Sequence, residues 1–192
     1  LQLSELSLRG LSIDAALTED GSIELRGFQG GGGALRDWLG TFLPNVRRVT
    51  LRDSGLRLAI PGGDVLNLRS DLSLEREGNA RLLQGELRGP NITLAVRAEG
   101  VGNPLRPRSW AGDVFVDARS AQLEAFSGLW QALQWPFSVA GEVAAQFWLN
   151  RSAATSTASL RFRGSGLRLE ERSGAWALPI DALSFEAALD AA

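Results

Sequence analysis

The sequence contains no cysteine, histidine, methionine or tyrosine, and no lysine, so all 20 of its basic residues are arginine. Without cysteine there can be no disulfide and no thiolate metal site, and any redox compartment suits the chain. Without His, Cys, Lys and Tyr, acid–base chemistry falls to Asp and Glu alone, and a nucleophile to Ser, Thr or a carboxylate. No stretch reaches the ~18 consecutive apolar residues of a membrane-spanning helix, and no secretory leader opens the chain. A net charge of -2 leaves no basic excess for a polyanion, so nucleic acid is not an expected partner. The chain opens on Leu1 rather than Met. The expectation is a fragment of a longer protein, with any export signal or anchor elsewhere in it.

What the sequence does have is alternation. Its 192 residues, 44% hydrophobic and 22% charged, suit one large β domain or two small ones. Leu6, Leu8, Leu11, Ile13, Ala15 and Leu17 alternate with polar residues, Glu19-Asp20-Gly21 forms a turn, and Ile23 and Leu25 return the chain as a hairpin. Strands are predicted at Val46–Leu51, Leu56–Ile60, Val65–Glu75, Arg81–Arg88, Ile92–Ala98, Trp110–Ala118, Ser138–Leu149, Thr157–Arg163, Leu167–Glu170 and Asp181–Leu189. Short polar turns between them demand antiparallel neighbours, and helices are too few for a βαβ sheet. Two short amphipathic helices are predicted. One is Ala34–Leu43, with Leu35, Trp38, Leu39 and Phe42 on a stripe. The other is Ala121–Leu133, with Leu123, Phe126, Trp130 and Leu133.

Ser54-Gly55-Leu56-Arg57-Leu58 recurs as Ser165-Gly166-Leu167-Arg168-Leu169, each copy followed by a Pro (Pro61, Pro179) and a longer alternating strand. This predicts a repeated strand–turn–strand unit with both prolines between strands. One β-groove domain is expected over 1–192, with sub-units of a hairpin plus helix over 1–45, a first repeat over 46–133 and a second over 134–192.

Chemical motifs are sparse. Gly30–Gly33 lacks the Lys-Ser/Thr of a phosphate loop and reads as a linker. Pro104-Leu105-Arg106-Pro107 reads as a stiff loop. Asn91-Ile92-Thr93 and Asn150-Arg151-Ser152 fit the glycosylation sequon, a pattern common by chance. Acidic residues fall mostly on the alternating polar faces, and the pairs Glu19-Asp20 and Glu170-Glu171 are too thin for an oxygen-only metal site. No metal, cofactor or catalytic residue is expected. Trp148 lies on the opposite face of its strand from Val143 and Phe147, where it could meet a lipid, a sugar or a second packed layer.

Three stretches carry a family likeness: Val49-Thr50-Leu51-Arg52-Asp53-Ser54-Gly55-Leu56-Arg57-Leu58, Trp110-Ala111-Gly112-Asp113-Val114 and Leu160-Arg161-Phe162-Arg163-Gly164-Ser165-Gly166-Leu167. With the one-sided strands and short Pro/Gly turns, they resemble the periplasmic part of the AsmA-like family of Gram-negative bacteria, in particular its YhdP-like, TamB-related branch. The resemblance implies a large inner-membrane-anchored protein whose sheet curls into a long apolar groove and passes phospholipid toward the outer membrane.

The fold expected is therefore mainly β: an antiparallel, one-sided sheet curled into a groove or half-barrel, with two short helices. The residues expected to line the groove are Leu66, Leu68, Leu72, Leu74, Leu94, Val96, Val114, Val116, Val143, Phe147, Phe162 and Phe185. Phospholipid acyl chains, the rest of the same polypeptide and membrane proteins at its two ends are the expected partners. Two alternatives stay open, because a groove and a filled core use the same residues: a closed β-sandwich serving as a structural or interaction module, and a carbohydrate-active enzyme built on a carboxylate pair.

Overall fold

A computed structural model describes residues 4–18, 23–29, 46–61, 65–102, 110–127, 135–152 and 155–191. Eleven strands account for nearly all of them: β1 Glu5–Arg9, β2 Ser12–Leu17, β3 Ile23–Gln29, β4 Arg48–Ala59, β5 Val65–Glu77, β6 Ala80–Gly89, β7 Ile92–Val101, β8 Ala111–Gln122, β9 Phe137–Arg151, β10 Ser156–Glu171 and β11 Ala177–Ala191. All belong to one sheet; ten follow the order β11-β10-β9-β8-β7-β6-β5-β4-β2-β3, and β1 pairs with β4 off this path. The sheet is not closed.

From β4 to β11 each strand pairs antiparallel with the next, as the alternation and short turns require. The other end is mixed. β1 and β2 both run parallel to β4, so the expectation of a wholly antiparallel sheet is corrected. Their registers, Glu5 on Arg48 and Ser12 on Gly55, lie on one line. β1 and β2 are thus one strand interrupted at Gly10 and Leu11. The β2–β3 hairpin forms as predicted, pairing Leu17 with Ile23.

Places that read as gaps between strands are bulges within strands. Arg52 and Asp53 of β4 face the single residue Asp71 of β5, which merges Val46–Leu51 and Leu56–Ile60 into one strand. Arg119 and Ser120 of β8 face Ala144 of β9 in the same way. In β10, Gly166 and Leu167 face Gly141, merging Thr157–Arg163 with Leu167–Glu170. Each extra residue shifts the alternation by one, so Leu56 and Leu167 return to the face held by Leu51 and Gly164.

The two predicted helices are not borne out. Ala34–Leu43 lies outside the described residues. Of Ala121–Leu133, residues 128–133 lie outside the described residues, and the described part is the end of β8, one 3-10 turn, Leu123–Phe126, and a single helical residue, Ser127. Strand pairing with β9 claims Ala121 and Gln122, overriding the helical period at these two residues.

The repeat is corrected in part. Both copies of the five-residue motif end a strand that turns into an antiparallel partner, β4 into β5 and β10 into β11. The prolines occupy unlike places, however. Pro61 stands in the turn, whereas Pro179 lies inside β11 opposite Arg168, as an edge strand permits. The residue with positive φ also differs: Asp53, before the first motif, and Gly166, within the second.

Candidate functional site

The registers from β4 to β11 place the apolar residues in rows that cross all eight strands. One row runs Leu51, Leu72, Gly85, Val96, Val116, Phe147, Leu160, Ala187. The row on one side of it runs Val49, Leu74, Leu83, Ala98, Val114, Leu149, Ala158, Leu189, and the row on the other side Ser54, Ser70, Leu87, Leu94, Ala118, Ala145, Phe162, Phe185. Beyond that, Leu56 pairs with Leu68, and Ile92, Ala121, Val143, Gly164 and Leu183 continue the line. Leu66 pairs with Leu58 at the end of β4. All twelve residues singled out by sequence fall on this one face.

The face is chemically uniform. Its hydroxyls, Ser54 and Ser70, are satisfied internally and are 0% and 1% exposed. Ser70 Oγ donates to the Ser54 carbonyl at 3.0 Å, and Ser54 Oγ donates to the Arg52 carbonyl at 3.1 Å. No charged residue stands in the rows. Gly85 interrupts the central one for a steric reason: at φ +152, an added Cβ would lie 2.0 Å from the Asp71 carbonyl oxygen on the next strand.

Covering is uneven. At one end Leu68, Ile92, Ala121, Val143 and Leu167 form a buried cluster, against which Leu66, Leu94, Phe162, Leu123 and Phe126 pack. Leu72, Leu74, Val96, Val114, Val116 and Phe147 are half-buried. Toward β11 the face opens, with Phe185 42% and Leu189 73% exposed. Phe162 and Phe185 stack there, with ring centroids 5.0 Å apart.

The twelve residues singled out by sequence leave out part of the face. Leu83 and Leu87 carry it across β6, and Leu149, Leu160, Leu183 and Leu189 across the far strands. The signal was present in β6 as Leu83-x-Gly85-x-Leu87, with the glycine hiding the period.

The opposite face is a lattice of charges. Arg69 meets Asp53 at 3.2 Å, Arg48 meets Glu75 at 3.1 Å, Arg119 meets Glu86 at 3.0 Å and Arg161 meets Glu186 at 2.6 Å. Arg88 bridges Asp71 and Glu86. The hydrogen bond from Arg48 to Glu75, then the charges of Glu75 and Glu5, raise its guanidinium pKa further. For Arg119 the largest cause is its hydrogen bond to Asp117, followed by the charge of Glu86. Trp148 lies on this face as expected. Its ring sits 5.2 Å from that of Phe115, and the Arg161 guanidinium lies 5.8 Å from its centroid, so residues of its own sheet occupy it. Among the described residues no group of acids could hold a metal ion, and no helix is long and apolar enough to cross a membrane.

No protein-family model, curated protein or solved structure matches this chain.

Proposed function

We propose that the apolar face binds lipid acyl chains, and that the chain is a non-enzymatic segment of a periplasmic, inner-membrane-anchored protein of the AsmA-like type that moves phospholipid between the inner and outer membranes. In this reading the sheet curls along its strand order into a groove, with Leu66, Leu68, Leu72, Leu74, Leu94, Val96, Val114, Val116, Val143, Phe147, Phe162 and Phe185 on its inner surface.

One observation carries the reading. Apolar rows cross eight strands of a sheet that is neither closed nor faced by a second sheet among the described residues. Fully covering a Leu or Phe is worth roughly 1.5–3 kcal/mol, and soluble proteins rarely leave so wide an apolar face without a ligand or partner. Acyl chains suit it because they ask for continuous apolar contact and no polar partner, and the two serine hydroxyls on the face are already bonded. The single sheet also weighs against the closed two-sheet sandwich.

The test is titration of the delipidated protein with a fluorescent fatty acid whose emission rises in an apolar site. Saturable binding is expected, competed by phospholipid and weakened by Val116→Arg. No saturable emission change, with the fold intact, would end the proposal.

A further inference from the structure

The apolar rows end differently on their two sides. On one side they run into the buried cluster of Leu68, Ile92, Ala121, Val143 and Leu167. On the other, beyond the row from Val49 to Leu149, the same face continues as Arg76, Arg81, Gly100, Gly112 and Arg151. Arg47 heads this line, its carbonyl accepting from the Arg76 N–H at 2.7 Å. Apolar side chains thus give way, at the next position on that face, to a row in which every charged residue is arginine.

The pairing inside the row is unfavourable as it stands. Arg76 lies directly opposite Arg81, and like charges placed opposite destabilise a strand pair. The polar face answers the same arrangement with acids: Arg69 lies opposite Arg88, and Asp53, Asp71 and Glu86 pair with them. Among the described residues no acid shares the row of Arg76 and Arg81. Glu75, Glu77 and Glu99 have the opposite parity, and Arg48 and Arg97 engage Glu75 and Glu99. Arg47 and Arg81 form no ion pair among the described residues. Beside Arg81 the row is bare. Gly100 pairs with Gly112, so closely that a Cβ on Gly100 would lie 2.3 Å, and one on Gly112 2.2 Å, from a carbonyl oxygen of the facing strand. Arg151 bounds this opening on its far side.

We propose that the arginine row holds the phosphate of a phospholipid whose acyl chains lie along the apolar face, which gives the face a headgroup side and a tail side. The inference rests on the acyl-chain reading above and adds an anionic group to it. Guanidinium groups give phosphate bidentate, charge-assisted hydrogen bonds, and an anion beside Arg76 and Arg81 offsets their repulsion. The lengths agree. Leu74 and Leu68 are six residues apart, about 20 Å at ~3.3 Å per residue. One leaflet's hydrocarbon is about 15 Å deep, half of a ~30 Å bilayer core. Chains that start at the arginines therefore end near the buried cluster. A free phosphate would satisfy the arginines but leave the adjoining apolar rows unused.

The test is calorimetric titration of the delipidated whole chain with dioctanoyl phosphatidic acid, dioctanoylglycerol and glycerol 3-phosphate. Phosphatidic acid is expected to bind about tenfold or more tighter than dioctanoylglycerol, and to lose that margin as salt rises. Glycerol 3-phosphate is expected to show no measurable binding. Arg76→Gln with Arg81→Gln should remove the margin, leave dioctanoylglycerol unchanged and keep or raise the melting temperature. Arg76→Lys with Arg81→Lys should keep a salt-sensitive margin. Equal affinity for the two lipids would overturn this inference and leave the acyl-chain reading standing. Binding of neither lipid would overturn both. Glycerol 3-phosphate binding as tightly as phosphatidic acid would make the row a free-phosphate site and overturn the lipid assignment. A margin that persists in the folded Gln variant would place the phosphate elsewhere.

Discussion

Asp71 works on both sides of its strand. Its Oδ1 accepts from the Asp53 backbone N–H at 2.9 Å, and its Oδ2 lies 3.5 Å from Arg88. The first bond secures the β4 bulge, where Asp53 has φ 49, a conformation Asp tolerates better than most residues. Asp71→Ala is therefore expected to cost about 0.5–1.5 kcal/mol, read as a lowered urea midpoint, while Asp71→Asn retains an acceptor for the Asp53 N–H and should lose less. Equal losses would mean that the ion pair, not the bulge contact, matters. Gly85 is the stricter position. A methyl group there meets the backbone of β5 rather than a movable side chain, so Gly85→Ala should cost roughly 2–4 kcal/mol. A melting temperature within a degree or two of the parent would contradict the close approach of β5 and β6.

At the scale of the strands, the apolar face is not uniformly covered, and charge insertion separates its parts. Val143 in β9 is 6% exposed and lies in the buried cluster with Leu68, Ile92 and Leu167. Val116 in β8 and Leu94 in β7 are half-buried. Val143→Arg should cost about 3–5 kcal/mol, the range for an uncompensated buried charge, and unfold the protein or nearly so. At Val116 or Leu94 an arginine can reach water along its stem, so the fold should survive while lipid uptake falls. Circular dichroism of the three variants checks this. Unfolding of all three would mean that the middle of the face is a filled core. Most strands were legible in sequence because one-sided alternation is an unambiguous period. What escaped was the connection of strands through Asp53, Arg119 and Gly166. A bulge shifts the alternation by one residue, and by pattern alone that looks like the end of one strand and the start of another. The predicted start of the helix over Ala121–Leu133 was wrong for a related reason. Ala121 and Gln122 carry a period that suits either structure, and pairing with β9, which sequence does not display, decided it.

For the whole molecule, the parallel docking of β1 and β2 on β4 was not legible, since no local signal says which earlier strand a later one will join. The shared face of the apolar residues was legible. Parity within each strand placed Leu66, Leu68, Leu72, Leu74, Leu94, Val96, Val114, Val116, Val143, Phe147, Phe162 and Phe185 correctly on one face, although sequence could not show how the strands align or that β6 contributes Leu83 and Leu87. The central claim is that this face exists to hold acyl chains. Native mass spectrometry of the purified protein, before and after incubation with phospholipid vesicles, tests it most directly. The account predicts additional masses corresponding to one or more phospholipids, retained under gentle activation and lost in a folded Val116→Arg variant. A spectrum showing only the bare chain under both conditions would contradict it.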